Sequence, residues 1–170
     1  MASSVPMVMG KISWPSLAIQ VIIIWLLIYF FGLMGLPEPL IFGLFSYIII
    51  ARILRSVNAK YHRQGIRLVM QKKITEAIPY FEKSVAYFSE NSWVDKYRSI
   101  TLLSSVKSSY KEMGLSNIAY CYGQMGDGQK AKEYYKKTLA EFPESGLAMA
   151  ALNQLQSFEK LAEAKSKEGL

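Results

Sequence analysis

From Ile12 to Pro37 the chain runs 26 residues without a charged side chain. A helix of roughly 20 apolar residues matches the hydrocarbon core of a bilayer. Within the run, Trp14–Leu36 ("WPSLAIQVIIIWLLIYFFGLMGL") has 23 residues, with Gln20 as its only strongly polar side chain. Trp14 and Tyr29 near its ends suit the amphipathic belts of a membrane interface. A cleaved leader would have an apolar segment of roughly 7–15 residues and a small-residue cleavage site, and neither fits here. Pro37 and Pro39 flank Glu38 and predict a turn after "GLMGL".

A second apolar run, "LIFGLFSYIIIARILRSV", extends from Leu40 to Val57. Its charge-free core, Leu40–Ala51, is short for a span. Arg52 and Arg55 are expected to lengthen it by laying their stems along the apolar zone and reaching the headgroups with their guanidinium groups. Residues 1–57 are therefore predicted to be a membrane anchor of two helices, about 14–36 and 40–57. The rest, 58–170, belongs to water. Residues 51–170 hold 19 of the 20 Lys and Arg and 12 of the 13 Asp and Glu.

Basic residues beside spans face the cytoplasm. Arg52, Arg55, Lys60, Arg63, Arg67, Lys72 and Lys73 follow the second run with no acid among them, Lys11 precedes the first, and the turn carries only Glu38. This places both termini in the cytoplasm and the chain in a cell or inner membrane. The Arg52–Lys73 stretch also suits anionic lipid headgroups, at about 1 kcal/mol per nearby charge. No nucleic-acid partner is expected.

The water-soluble part reads as helix throughout. Leu54, Val57, Tyr61, Gly65 and Leu68 recur at helical spacing, and the helix is expected to run on from the second span. Thr75 is a candidate cap for the next helix, with Pro79 in its first turn and Ala77, Phe81, Ser84, Val85 and Phe88 on one face.

Further on stands "GQMGDGQK", Gly123–Lys130. A phosphate loop needs a preceding strand, then Lys and Ser or Thr directly after the last glycine. Here Gln129 and Lys130 follow, and Ala131 has no hydroxyl for magnesium. Apolar residues at helical spacing lie on both sides, so the string joins two helices, with Gly126 as a left-handed C-cap.

The segment Glu112–Ser145 closely resembles a tetratricopeptide repeat (TPR), a helix–turn–helix unit of about 34 residues. Ala119 and Tyr122 match its first helix, Gly126-Asp127 its turn, Ala131 and Tyr135 its second helix, and Pro143 its terminating proline. Thr138 stands where alanine is usual. A weaker copy fits Ala59–Ser92. There Gly65, Leu68, Ala77 and Phe81 keep the pattern, while Lys72-Lys73 replaces Gly-Asp and Ser89 the proline. The expected fold is all-α: an N-terminal transmembrane helical hairpin followed by a small TPR-like domain. Repeats would span about 59–92 and 112–145.

Between the copies, 93–111 is an insert, expected to hold a short helix and a serine-rich stretch. Ser92 with Asp95 and Ser109 with Glu112 are candidate capping boxes. A capping helix, about 146–164, would set Leu147, Ala151, Leu155, Phe158 and Leu161 against the last repeat.

No catalytic constellation is visible, and no enzyme activity is expected. His62 and Cys121 are the only His and Cys. They supply too few ligands for a usual metal site, and no cofactor is implied. The resemblance implies protein binding on the inner face of the first helices. That face would present His62, Ile66, Val69 and Met70, then Ser116, Tyr120, Gly123 and Gln124. Ile66 and Tyr120 stand where a carboxylate clamp would need asparagine, and only Asn117 fits part of that pattern. Two repeats leave a flank to be covered by the insert, a partner or a second copy of the chain. The expected function is a membrane-anchored adaptor or scaffold that binds protein. The alternative is a structural subunit or assembly factor of a membrane complex.

Overall fold

The computed structural model describes residues 12–168, in which every element is a helix. The first two, α1 (Trp14–Leu33) and α2 (Pro39–Asn58), form an antiparallel hairpin. Each has 20 residues and is long and apolar enough to cross a membrane, with mean hydropathy 2.4 and 1.8. The helices approach most closely at Gly43, where a Cβ would lie 2.6 Å from the Ile28 side chain and 3.0 Å from its backbone. Small residues permit such crossings. The Tyr47 hydroxyl donates to Gln20 Oε1 at 3.1 Å, so the one strongly polar side chain of α1 turns inward. Helix α1 stops three residues short of the expected Leu36, because Gly35 adopts a left-handed conformation (φ 70°).

The expected continuous helix from α2 is interrupted. Ala59 (φ −109°, ψ 23°) breaks it, and α3 (Lys60–Met70) starts anew. Ala59 is buried to 1% exposure, so the kink turns toward the core. Helix α4 (Ile74–Glu90) is capped at Lys73, not Thr75. Pro79 therefore lies in the second turn of α4, and no N–H is available there for the Thr75 carbonyl.

Two very short helices follow, α5 (Ser92–Lys96) and α6 (Arg98–Thr101), then an irregular stretch. Helices α7 (Tyr110–Gln124), α8 (Gly128–Glu141) and α9 (Gly146–Glu168) complete the chain. The pairs α3–α4 and α7–α8 are antiparallel. Helix α4 packs on α7 and α8 on α9, which gives a helical-repeat stack.

Both pairs turn in the same way. In the second, Asp127 N donates to Tyr122 O at 3.0 Å and Gly126 N to Gly123 O, with Gly126 at φ 82°. In the first, Lys73 N donates to Leu68 O at 2.9 Å and Lys72 N to Val69 O, with Lys72 at φ 62°. This is the Schellman arrangement, which satisfies the last helical carbonyls.

Ala77, Phe81, Ala119 and Ala131 are fully buried, as nearly is Tyr135. A Cβ on Gly65 would come within 2.7 Å of the Phe81 ring. Tyr122 is only half-buried and stacks on Tyr134 at 5.6 Å. Pro143 is exposed in the turn after α8. On α9, Ala148 and Ala151 are buried and Leu147, Leu152 and Leu155 pack beside them. Phe158, expected to join them, is 52% exposed, and the Leu161 side chain lies outside the described residues.

Candidate interaction surface and the hairpin junction

Helices α3 and α7 run parallel. Ala59, Tyr110 and Met113, at their N-terminal ends, share one core cluster with Phe88, Val94 and Leu102. Leu68, Val69, Ile118 and Cys121, further along, share another with Ala77, Ile78 and Phe81. Both helices thus start at the foot of the hairpin and end at the opposite side of the stack.

This direction sorts the sequence-predicted partner residues. Residues 62 and 116 are equivalent in the two pairs, and both are buried: His62 to 6% and Ser116 to 1% exposure. They are corrected from surface to core. The His62 ring meets the edges of Phe81 and Tyr110 at 5.7 and 5.2 Å. Burial lowers its pKa to about 4, so the ring is neutral at pH 7. Val69 is likewise buried. Asn117, the partial clamp match, is fully buried. Ser116 and Asn117 are buried because α4 and α8 pack on α7, whose residues 113–119 are all buried, whereas His62 and Val69 on α3 are covered by side chains of α4 and α7.

What stays accessible clusters in the last turns. Ile66, Tyr120, Gly123 and Gln124 are half-buried, and Met70 is 75% exposed. Two residues join them that the repeat pattern did not single out: Met125, 47% exposed, and Thr75, whose hydroxyl lies 3.8 Å from the Met125 sulfur. Helix-turn residues outside the repeat's inner-face positions carry no periodic signal, so only the fold shows that the two turns adjoin. Cys121 is fully buried, and desolvation pushes its thiol up to about 12, which leaves it an inert core residue. Among the described residues, no three His, Cys, Asp or Glu side chains come together as a metal site.

At the other end, the insert joins hairpin to stack. Ser13 N donates to Ser105 O at 2.6 Å, and Ile12 pairs with Val106 in an isolated bridge. Arg55 Nε donates to Leu102 O at 3.0 Å, and its Nη2 to Leu103 O. Arg55 is thus bound to the insert backbone; it does not reach for headgroups as expected. Arg98 donates to the carbonyls of Asp95, Val106 and Lys107. The Tyr87 hydroxyl donates to Asn58 Oδ1 at 2.9 Å, a further tie between α4 and the end of α2. The sequence boundary at residue 57 is therefore bridged by hydrogen bonds on both sides.

Asp95 has a role that the sequence assigned elsewhere. Ser92 lies inside α5, which has no side-chain cap. The buried Asp95 carboxylate instead accepts from Tyr110 N at 2.8 Å and Lys111 N at 3.0 Å, at the start of α7. Burial raises its pKa, against the lowering effect of these donors and of Arg98. Ser109 caps α7 as expected, accepting from Glu112 N at 3.0 Å. The insert is thus a clasp that closes the core at the hairpin end.

The chain matches no family model, no curated protein and no solved structure.

Proposed function

We propose that the chain is a membrane-anchored adaptor whose TPR-like helical stack binds a protein partner in the cytoplasm. One observation carries this reading: each end of the molecule leaves apolar side chains uncovered, a long charge-free hairpin at one end and a small patch on the helix turns at the other. One end is a hairpin that leaves large apolar side chains uncovered, such as Trp25 at 67% and Phe45 at 64% exposure. A core helix of a water-soluble protein buries such residues, and lipid is the medium that accepts them. The other end is the pair of helix turns with Met70, Tyr120, Gln124 and Met125. Methionine there adapts to varied partner surfaces. The basic residues after α2 set this end on the cytoplasmic side.

The test is affinity capture of the full chain in mild detergent, followed by mass spectrometry. A specific protein should be retained by the wild type and by Met149→Glu, a change at an exposed position of α9. It should be lost with Met70→Glu/Met125→Glu. Equal capture by all three would overturn the surface.

A second reading, a structural subunit or assembly factor, is favoured by the junction. Bonds from Ser13 and Arg55 hold the hairpin in a set relation to the stack. A simple tether would not need that. Replacing residues 1–56 with an unrelated two-span hairpin separates the two. An adaptor keeps its partner, and a subunit that uses its spans loses it.

A further inference from the structure

We propose that Ser56, Lys60, Arg63, Gln64 and Arg67 form a binding site for a phosphate-bearing anion, supplied by the headgroup of an anionic phospholipid at the foot of the hairpin. This rests on the membrane reading of α1 and α2. The five residues line an open cleft of about 260 Å³. That is below the roughly 300–1,000 Å³ of pockets for larger ligands, and it suits a headgroup phosphate better than a nucleotide.

The fold selects these residues from a longer basic run. Arg55 is occupied by the Leu102 and Leu103 carbonyls. Lys73 pairs with Glu76 at 3.7 Å. Lys60, Arg63 and Arg67 stay on one side of α3, and among the described residues no carboxylate pairs with them. Lys60 Nζ lies over the Tyr61 ring at 4.8 Å, and the hydrogen-bond partners of the two arginines are neutral. Arg63 Nη1 donates to Ser56 Oγ at 2.9 Å across the Ala59 kink, and Arg67 Nη1 to Gln64 Oε1 at 3.4 Å. These bonds orient the guanidinium groups and leave their charge uncompensated. A planar guanidinium with spare N–H groups recognises phosphate oxygens in pairs. A topology signal requires only charge near the span. It does not require three cations and two neutral acceptors to converge on one cleft. The cleft begins in the last turn of α2, the depth at which headgroup phosphates lie.

The experiment is thermal unfolding of the full chain in mild detergent. It is titrated with short-chain phosphatidylglycerol, short-chain phosphatidylcholine or inorganic phosphate. Phosphatidylglycerol should raise the melting temperature saturably, and phosphatidylcholine should not. Arg63→Gln/Arg67→Gln should weaken the apparent affinity roughly 30-fold, about five- to sixfold for each of the two lost charges. Arg63→Lys/Arg67→Lys keeps the charge and should retain part of the binding, which controls for loss of folding. An equal response to phosphatidylglycerol in wild type and the Gln variant, or none in the wild type, would overturn the site. An equal rise with inorganic phosphate would overturn its lipid source. Alkaline carbonate extraction of membranes tests the anchor separately. A chain that is released fails the membrane reading, whereas one that stays but shows no lipid selectivity fails only the cleft.

Discussion

Lys72 and Gly126 occupy equivalent positions in the two helix pairs, and both are left-handed. An L side chain there costs roughly 1–2 kcal/mol. Lys72→Gly should therefore raise stability by about 1 kcal/mol, read as a higher melting temperature of the full chain in detergent; Gly126→Lys should lower it. Ala131 is fully buried in the second pair. Ala131→Leu should cost about 1–3 kcal/mol through overpacking. Lys136→Leu, on the exposed side of the same helix, should change stability by under about 0.5 kcal/mol. Equal melting of the two variants would contradict the register of α8. His62 gives a pH signature. Its folded pKa, about 4, lies below the unfolded value of 6.5 because the ring is buried. The stability from the neutral ring is complete above pH 6.5 and is lost as pH falls from 6.5 through 4. At 1.36 kcal/mol per pH unit the loss approaches about 3 kcal/mol. Asp95, with its pKa raised, acts in the opposite direction on acidification. Denaturation followed between pH 7 and 4 should thus be steeper for the wild type than for His62→Phe.

At the scale of elements, the insert is the part whose role changed most between sequence and structure. Trp93, Tyr97, Ile100 and Leu103 stand at helical spacing in the insert, yet the first three are exposed and only Leu103 is buried. The residues that matter to packing are Val94, Leu102 and Leu103, which are buried at the junction. Asp95 links this element to α7. Asp95→Ala should leave one buried and one partly buried N–H group without an acceptor and cost about 1–3 kcal/mol. Asp95→Asn, which keeps one oxygen, should cost less. Amide hydrogen exchange at Tyr110 and Lys111 should accelerate in the Ala variant. If exchange there is unchanged, Asp95 does not hold the start of α7.

At the scale of the whole molecule, hairpin and stack share hydrogen bonds, so orientation in the membrane would set orientation of the distal surface. The proposed topology is open to direct labelling. The native Cys121 is buried and inert, which makes a single added cysteine a clean probe. A cysteine at Glu38 should react with an impermeant thiol reagent on intact cells, and one at Lys165 should not. The reverse pattern would overturn the cytoplasmic placement of the stack.

Much of the architecture was determined by the sequence alone. A long uncharged run, proline punctuation and apolar periodicity are local patterns. They act through backbone hydrogen bonding and solvent preference, so α1, α2 and the two helix pairs follow from them within a few residues. The equal spacing of Gly65 to Ala77 and Ala119 to Ala131 likewise foretold the core positions of both pairs. Tertiary structure alone decided the rest. Arg55 and Arg98 bind backbone carbonyls, which every residue has and no motif marks. Ala59 breaks a helix that its own residue type favours, because the kink fits Ala59 into the core beside Phe88 and Tyr110. His62 and Ser116 left the expected binding face because distant segments close over them. Burial depends on which helices meet, and that is a long-range property with no local pattern to announce it.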